Sequence, residues 1–356
     1  MSLEELRQRI DQIDLQLVHM LNERARVVVE IGKLKSQVER PVYAPDREKQ
    51  VLDHVVQANQ GPLPERTIKA IWREMMSGSL ALEKRLRIGY LGPAGSFSHT
   101  AAMLKFGQSV EYEPLTHIAA VFEEVSRSHC DLGVVPVENT AGGGVIETLD
   151  ALIDSAVKVC AEVLVAIHHS LLANGPPEKI VKIYSKPEIF AQCQKWLAST
   201  FKDAETIPVA SSAKAAQMAA REEGAAAIGS VLAAELYGLD VVYENIEDMA
   251  HNVTRFLVIS REDARATGED KTAILFTTAH KAGALADVLD VFRQYEINLT
   301  TIQSRPGKKR EWEYYFFADL VGHRTEACVE QGLNEARKHC LQLSVLGSFP
   351  RATAVL

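Results

Sequence analysis

Arg7, Arg24, Lys35 and Arg47 put four cations on or just beyond one long helical pattern, an arrangement suited to binding a small polyanion. Apolar residues recur at Leu6, Ile10, Ile13, Leu17, Leu21, Val28, Ile31, Leu34 and Val38, the three-, four- and seven-residue spacing of an amphipathic helix. No proline interrupts it before Pro41. The spacing predicts a helix over about residues 3–38, roughly 50 Å long at ~1.5 Å per residue. Arg24 and Lys35 then share a face about three turns and roughly 16 Å apart, so their side chains can converge on one anion. Arg7 lies ~25 Å beyond Arg24 on a different face, so if it serves that site it comes from a second chain. A helix this long cannot bury its stripe within so short a segment and needs a partner helix. Two readings stay open: an interlocked helical dimer with cationic inter-subunit sites, or a coiled-coil arm with solvated charges. Periodicity alone favours the arm.

Three polar segments could carry a second chemistry. Gly92-Pro93-Ala94-Gly95-Ser96-Phe97-Ser98-His99 joins a strand to an Ala-rich helix. Backbone amides at such a helix start suit an anion, although a capping loop reads equally well. Val135-Pro136-Val137-Glu138-Asn139-Thr140-Ala141-Gly142-Gly143-Gly144 brings Glu138 and Asn139 to a strand end, where open α/β sheets bind ligands. Its glycines allow close backbone approach; a flexible turn is the weaker reading. Asn252-Val253-Thr254-Arg255 enters a strand through polar residues. His168-His169 has no nearby Cys or Asp, and adjacent strand residues face opposite ways, so no metal is expected there.

The elements that must position these groups fall into three textures, expected as domains over 1–86, 87–264 and 270–356. Pro41 and Pro45 break the first helix, a second starts near Asp46, and a third spans about 64–85. From residue 87, short apolar strands alternate with helices, an α/β pattern. Strands are expected at 132–137, 159–167, 180–184, 207–210, 225–229 and 255–260. A polar linker over 261–271 precedes a βαββαβ rhythm: strands 272–278, 298–304, 312–321 and 342–349, with helices 283–295 and 325–339. That is the ferredoxin-like order.

The 356 residues carry net charge −8. Residues 1–86 hold 14 Lys/Arg and 13 Asp/Glu, which leaves −9 for the remainder. No basic face points to nucleic acid, and no apolar run reaches membrane-spanning length. An anionic substrate must be met by local cation clusters and helix starts. Cys130, Cys160, Cys193, Cys328 and Cys340 are scattered and odd in number, which with the charged N-terminal helix leads us to expect a cytoplasmic protein.

The spaced set Arg7, Asp11, Arg24, Lys35, Arg47-Glu48, Ser79 and Glu83 closely resembles the all-helical chorismate mutases over residues 1 to about 86. The resemblance implies that Arg24 and a partner-chain Arg7 clamp the substrate carboxylates. It puts Lys35 and Glu83 at the ether oxygen, Arg47 and Glu48 along the site with Glu48 near the substrate hydroxyl, and Ser79 beside them. A carboxylate cannot donate to an ether oxygen whereas a carboxylic acid can, so this role requires a neutral Glu83. Some family members carry Asp where Ala44 stands, so that polar contact is missing here. GPAGSFSHTA, VPVENTAGGGV, SKPEIFAQC, AAIGS and NVTRFLVI, in that order, resemble the prephenate dehydratase catalytic domain. That family has two α/β lobes like type 2 periplasmic binding proteins, with the active site between them. The match makes Asn139, Gln192 and Thr254 catalytic candidates, and gives Ser98, Gly143 and Arg255 to substrate carboxylates. Gly283-Ala284-Leu285 and Ser304-Arg305-Pro306 resemble the phenylalanine-binding ACT domain, with Gln303 where Glu is usual. Together these segments resemble the bifunctional chorismate mutase–prephenate dehydratases. The resemblance implies chorismate and prephenate as substrates, L-phenylalanine as feedback inhibitor, a homodimer, and no metal or cofactor. A dehydratase preferring arogenate, or an amino-acid sensor without catalysis, are the alternatives. The retained cations, Asn139 and Thr254 argue against the sensor.

Overall fold

A very long first helix needs a start signal, and Ser2 and Glu5 provide a reciprocal capping box. Ser2 N–H donates to Glu5 Oε2 at 2.7 Å and Glu5 N–H to Ser2 Oγ at 3.2 Å. From there α1 (Leu3–Gln37) runs unbroken, with Glu4 and Glu5 in its first turn and Lys35 in its last, each sign complementing the helix dipole. The computed structural model describes residues 1–37, 41–249, 251–307 and 314–356. Val38 of the apolar stripe and the start of the strand expected over 312–321 lie outside the described residues. Every residue from Met1 to Glu23 is exposed, and Val28 is the one buried residue of α1. Only the C-terminal part of α1 packs on its own chain.

The helix α2 (Pro45–Ala58) starts on Pro45, whose missing N–H costs nothing in a first turn. After it comes α3 (Glu65–Glu83), which packs on α1 and α2. The next stretch forms a lobe: β1 (Arg87–Leu91), α4 (Phe97–Phe106), β2 (Glu111–Leu115), α5 (Ile118–Ser126), β3 (Leu132–Asn139), β4 (Gly143–Gly144), α6 (Ile146–Asp154) and β5 (Lys158–Ala166). A second lobe follows with β6 (Ser170–Ala173), β7 (Lys182–Ser185), α7 (Pro187–Gln192), α8 (Gln194–Thr200), β8 (Glu205–Pro208), α9 (Ser212–Ala219), β9 (Ala225–Gly229), α10 (Val231–Tyr237) and β10 (Asp240–Tyr243). The chain then returns to the first lobe as β11 (Val253–Ser260), inserted antiparallel between β3 and β5. The first sheet runs β2-β1-β3-β11-β5, with β4 paired to β3; the second runs β10-β6-β9-β7-β8. Sequence pattern missed β2, β4, β6 and β10. The first is an exposed edge strand interrupted by Pro114, β4 has only two residues, and β6 and β10 hold four residues each, paired with each other across a long stretch of chain.

The last part is β12 (Asp270–Thr277), α11 (Ala284–Gln294), β13 (Leu299–Pro306), β14 (Tyr314–Val321), α12 (Ala327–Ala336) and β15 (Gln342–Pro350), with strand order β13-β14-β12-β15. Its two faces bury different things because strand residues alternate. Ile274, Phe276, Ala318 and Leu320 pack under α11 and α12. Ala273, Leu275, Tyr315 and Phe317 join one core with α5, α6 and β3 of the first lobe. On the other side of that lobe, Tyr43 and Leu86 share a core with α4, β1 and β5. The first lobe therefore owns a common core with both its neighbours.

One glycine controls how closely the helices approach the lobe. Gly107, just after α4, has φ 71° and ψ −162°, a region open to glycine alone. A Cβ there would lie 2.7 Å from Ser77 Cβ on α3. Gly107→Ala should therefore destabilise the protein by roughly 2–5 kcal/mol, combining backbone strain with overpacking. Chemical denaturation measures this, and a change below about 0.5 kcal/mol would show that α3 and α4 yield freely.

Candidate active sites

The first site lies where α1, α2, α3 and α4 meet, around a cavity of about 220 Å³. Arg24, Lys35, Arg47, Glu48, Ser79 and Glu83 all line it. Arg24 Nη1 donates to Ser79 Oγ at 2.6 Å, and Ser79 in turn donates to Met75 O one turn back. Lys35 Nζ donates to Glu83 Oε2 at 2.8 Å and to Val42 O at 3.2 Å. Gly32 makes that ion pair possible: any Cβ there would meet Glu83 Cγ at 3.1 Å. Burial, then the nearby Arg47 guanidinium, lowers the pKa of Arg24. Among the described residues no carboxylate pairs with Arg24 or Arg47. Two crowded cations without counter-charge make an anion site. Arg7 is not part of this cavity; it lies on the exposed N-terminal half of α1.

The second site lies between the two lobes. Asn139, at the end of β3, sits opposite Thr254 on β11. Its Nδ2 donates to Thr254 Oγ1 and to Asn252 Oδ1, both at 2.7 Å. The amides of Ala141 and Gly142 donate to Asn139 Oδ1 at 2.8 and 2.9 Å, which fixes which end of the amide faces Thr254. From the second lobe Gln192 presents Oε1 to His169 Nε2 at 2.7 Å and to Asn252 Nδ2 at 3.4 Å. The edge of Phe97, next to the buried Ser98, packs on the His169 ring at 5.5 Å. Ser230 Oγ donates to Gly95 O and Tyr237 OH to Ala94 O, so the loop before α4 reaches across to the second lobe. His169 and Asn252 belong to this network although their roles escaped the sequence reading. Asn252 was legible only as part of a polar run. His169 was legible as the inward half of an alternating pair, since His168 turns away to Glu247.

Two expected site residues are elsewhere. Arg255 does not face the cleft: strand alternation aims it oppositely to Thr254. Its Nε donates to Glu162 at 2.7 Å and its Nη1 pairs with Asp319 on β14 at 2.5 Å. Burial alone would lower its pKa, but Asp319 and Glu162 outweigh it and the net shift is upward. Arg305 is spent on Asp150 of α6, with contacts of 2.9 and 3.2 Å. It faces the first lobe, while Ser304 is exposed on the opposite face of β13. Gly143 is exposed with φ 74° and pairs with Asn139 in the β3–β4 hairpin. The expected carboxylate-holding amides are partly committed, because Gly142 N–H already serves Asn139. Gly283 caps α11 with φ 83° and open space around it, Ala284 is buried, and Leu285 packs against the core beneath α11.

Residues 6–84 match the family model of chorismate mutase type II, and residues 88–264 match that of prephenate dehydratase. A bifunctional chorismate mutase/prephenate dehydratase from Aquifex aeolicus is 42% identical over 356 residues, 99% of this chain and 98% of the relative. The chain belongs to this family. The relative from Pseudomonas aeruginosa is 41% identical over 358 residues, again covering 99% of this chain and 98% of its own length. A crystal structure of prephenate dehydratase from Arthrobacter aurescens, in complex with L-Phe, matches with TM-score 0.70 at 32% identity, covering 75% of this chain and 90% of that one. The enzyme is thus a chorismate mutase and a prephenate dehydratase in one chain, and it acts in phenylalanine biosynthesis.

The dehydratase cleft should respond to acid through His169. Burial lowers the pKa of its imidazole, against the opposing pull of Gln192 and Glu247, and His99 is lowered by burial as well. The folded ring resists a proton that the unfolded ring accepts below about pH 6.5. The unfolded chain then binds more protons, so stability falls as pH drops, by at most ~1.4 kcal/mol per pH unit per group. Unfolding free energy should decline from about pH 7 to 5, and His169→Gln should flatten the decline while His99 keeps part of it. An unchanged slope in the variant would assign the acid sensitivity elsewhere.

Proposed function

We propose that the α1–α3 cavity holds chorismate and that the Asn139–Thr254 network performs the dehydration. The observation that carries the first half is the single cavity gathering Arg24, Lys35, Arg47, Ser79 and Glu83. Rearrangement of chorismate needs no nucleophile. The site holds the dianion in its compact conformer and stabilises charge on the breaking ether oxygen. Arg24, with Ser79 behind it, and Arg7 of a partner chain take the carboxylates. Lys35 and Glu83 address the ether oxygen once the substrate opens their ion pair. Glu48 accepts from the substrate hydroxyl and Arg47 supplies charge.

In the dehydratase step prephenate loses carbon dioxide, and the electron pair released makes the ring aromatic and expels the hydroxyl. Thr254 passes a proton to that hydroxyl so that it leaves as water, and takes one back from solvent. The network supports this direction: Asn139 Nδ2 already donates to Thr254 Oγ1, so the threonine proton is free to point elsewhere. Gln192, Asn252 and His169 fix the neighbouring polar wall, and Ser98 with Gly143 faces the substrate carboxylates. The lobes act as in type 2 periplasmic binding proteins, with closure around prephenate. The C-terminal unit is a ferredoxin-like ACT domain that binds L-phenylalanine at the amide-rich start of α11, near Gly283, and lowers dehydratase activity. The three domains of the chain are taken as 1–86, 87–264 and 270–356. The assembly is a cytoplasmic homodimer whose partner covers Leu6, Ile10, Ile13, Leu17 and Leu21, all exposed in the single chain.

The two activities should separate by mutation. Lys35→Ala should lower mutase turnover at least ~10²-fold and leave dehydratase turnover of supplied prephenate intact; Thr254→Ala should do the reverse. Loss of both activities in a folded Lys35→Ala enzyme would sink the two-site assignment. The borrowed arginine has its own test. Arg7→Ala and Lys35→Ala chains, unfolded and refolded together, should regain mutase activity, because one site of each heterodimer holds all its residues. Demonstrated heterodimers as inactive as their parents would refute it.

A further inference from the structure

The mutase cavity contains a side chain from outside the three mutase helices, and nothing in the mutase resemblance accounts for it. We propose that Lys105, carried by α4 of the dehydratase lobe, is a positioning residue of the mutase site that orients Glu48 for the substrate hydroxyl. This inference rests on the role given to Glu48 above.

Lys105 Nζ donates to Glu48 Oε2 at 2.7 Å, with both side chains largely buried. Tyr43 OH donates to the same oxygen at 2.8 Å. Burial, then the Glu48 carboxylate, raises the pKa of Tyr43 well above its ordinary value, so the phenol stays a donor. Two donors on Oε2 fix the rotation of the carboxylate and leave Oε1 to accept from a ligand hydroxyl. Lys105 is itself held in place. Phe106 packs edge-on against Tyr43 at 5.1 Å. Just beyond, the amides of Gln108 and Ser109 donate to Glu74 and Ser77 of α3, each at 3.0 Å. The end of α4 is thus clamped to the mutase helices, and the cation cannot swing away. An acceptor already aimed before substrate arrives spares the cost of ordering it during the reaction. The charge works in the same direction: with Arg24, Lys35, Arg47 and Arg73, Lys105 makes five cations facing Glu48 and Glu83 around a site for a dianion.

The test is a double-mutant cycle on the full chain, read as mutase kinetics on chorismate. Lys105→Met should lower mutase kcat/KM by roughly ten- to a hundredfold, and Lys105→Arg should recover most of it. Dehydratase kcat/KM on prephenate should stay unchanged in both, which reports an intact fold. In a Glu48→Gln background, which itself lowers mutase activity, adding Lys105→Met should cost less than about twofold, because its effect passes through the carboxylate. A loss of the same size in both backgrounds would overturn the proposal, since Lys105 would then act by docking α4 or by touching substrate. A full-activity Lys105→Met enzyme beside a damaged Glu48→Gln enzyme would overturn the proposal alone. A full-activity Glu48→Gln enzyme would overturn the role of Glu48, and the proposal with it.

Discussion

A buried guanidinium must be neutralised, and the enzyme meets this demand at Arg255 with carboxylates from two different parts of the fold. Glu162 comes from β5 of the first lobe and Asp319 from β14 of the C-terminal sheet. Lys271 of β12 also pairs with Glu162 Oε1 at 3.0 Å, and Ala352 N–H donates to that same oxygen at 2.9 Å. Glu162 is therefore shared by two cations and an amide, and removing its carboxylate would leave the buried Arg255 short of counter-charge. The consequence for catalysis is geometric. Holding Arg255 toward the C-terminal sheet holds Thr254 toward Asn139, because neighbouring strand residues face opposite ways. A one-residue slip of β11 would put the guanidinium in the cleft and the threonine in the core, so the ion pairs set the register that the proposed role of Thr254 requires.

The short helix α4 makes a comparable link on the other side of the lobe. Its first turn carries Phe97 and Ser98 beside the dehydratase network, and its last turn carries Lys105 and Phe106 into the mutase cavity. Ten residues span about 15 Å, so the two sites occupy opposite ends of one rigid element. Ser96 caps its start by accepting from His99 N–H, and the mutase helices clamp its end. The first lobe is the common partner in both relations. It shares a core with the C-terminal sheet and another with Tyr43 and Leu86 of the helical part.

The sequence made some of this legible and hid the rest for physical reasons. The long apolar stripe exposed α1, and the family motifs named Arg24, Lys35, Arg47, Ser79 and Glu83, which the fold gathers into one cavity. Asn139 and Thr254 were legible as polar residues at strand ends. The dehydratase resemblance gives Arg255 to a substrate carboxylate, whereas the fold turns it to Glu162 and Asp319. Strand alternation, already used to separate His168 from His169, would have turned it away from Thr254. Lys105 carried no signal, because a lone lysine near a helix end is ordinary, and its partner Glu48 is 57 positions away in sequence. The strands β2, β6 and β10 were hidden because they are short or exposed, and their pairing depends on neighbours far along the chain.

The Gln303 departure also has a definite location. Its side chain presses on Gly144 so closely that a Cβ there would lie 2.2 Å from Gln303 Oε1. Gly144 pairs with Glu138, and Gly143 with Asn139, in the hairpin that aims the Asn139 amide. Beside it, Arg305 grips Asp150 on α6, the helix that follows this hairpin. The edge strand β13 therefore rests on the loop that holds Asn139, through the uncharged amide of Gln303. A glutamine can meet a glycine backbone with either a donor or an acceptor, whereas an ionised glutamate offers acceptors only. A shift of β13 away from the first lobe would part Gln303 from Gly144 and pull Arg305 from Asp150.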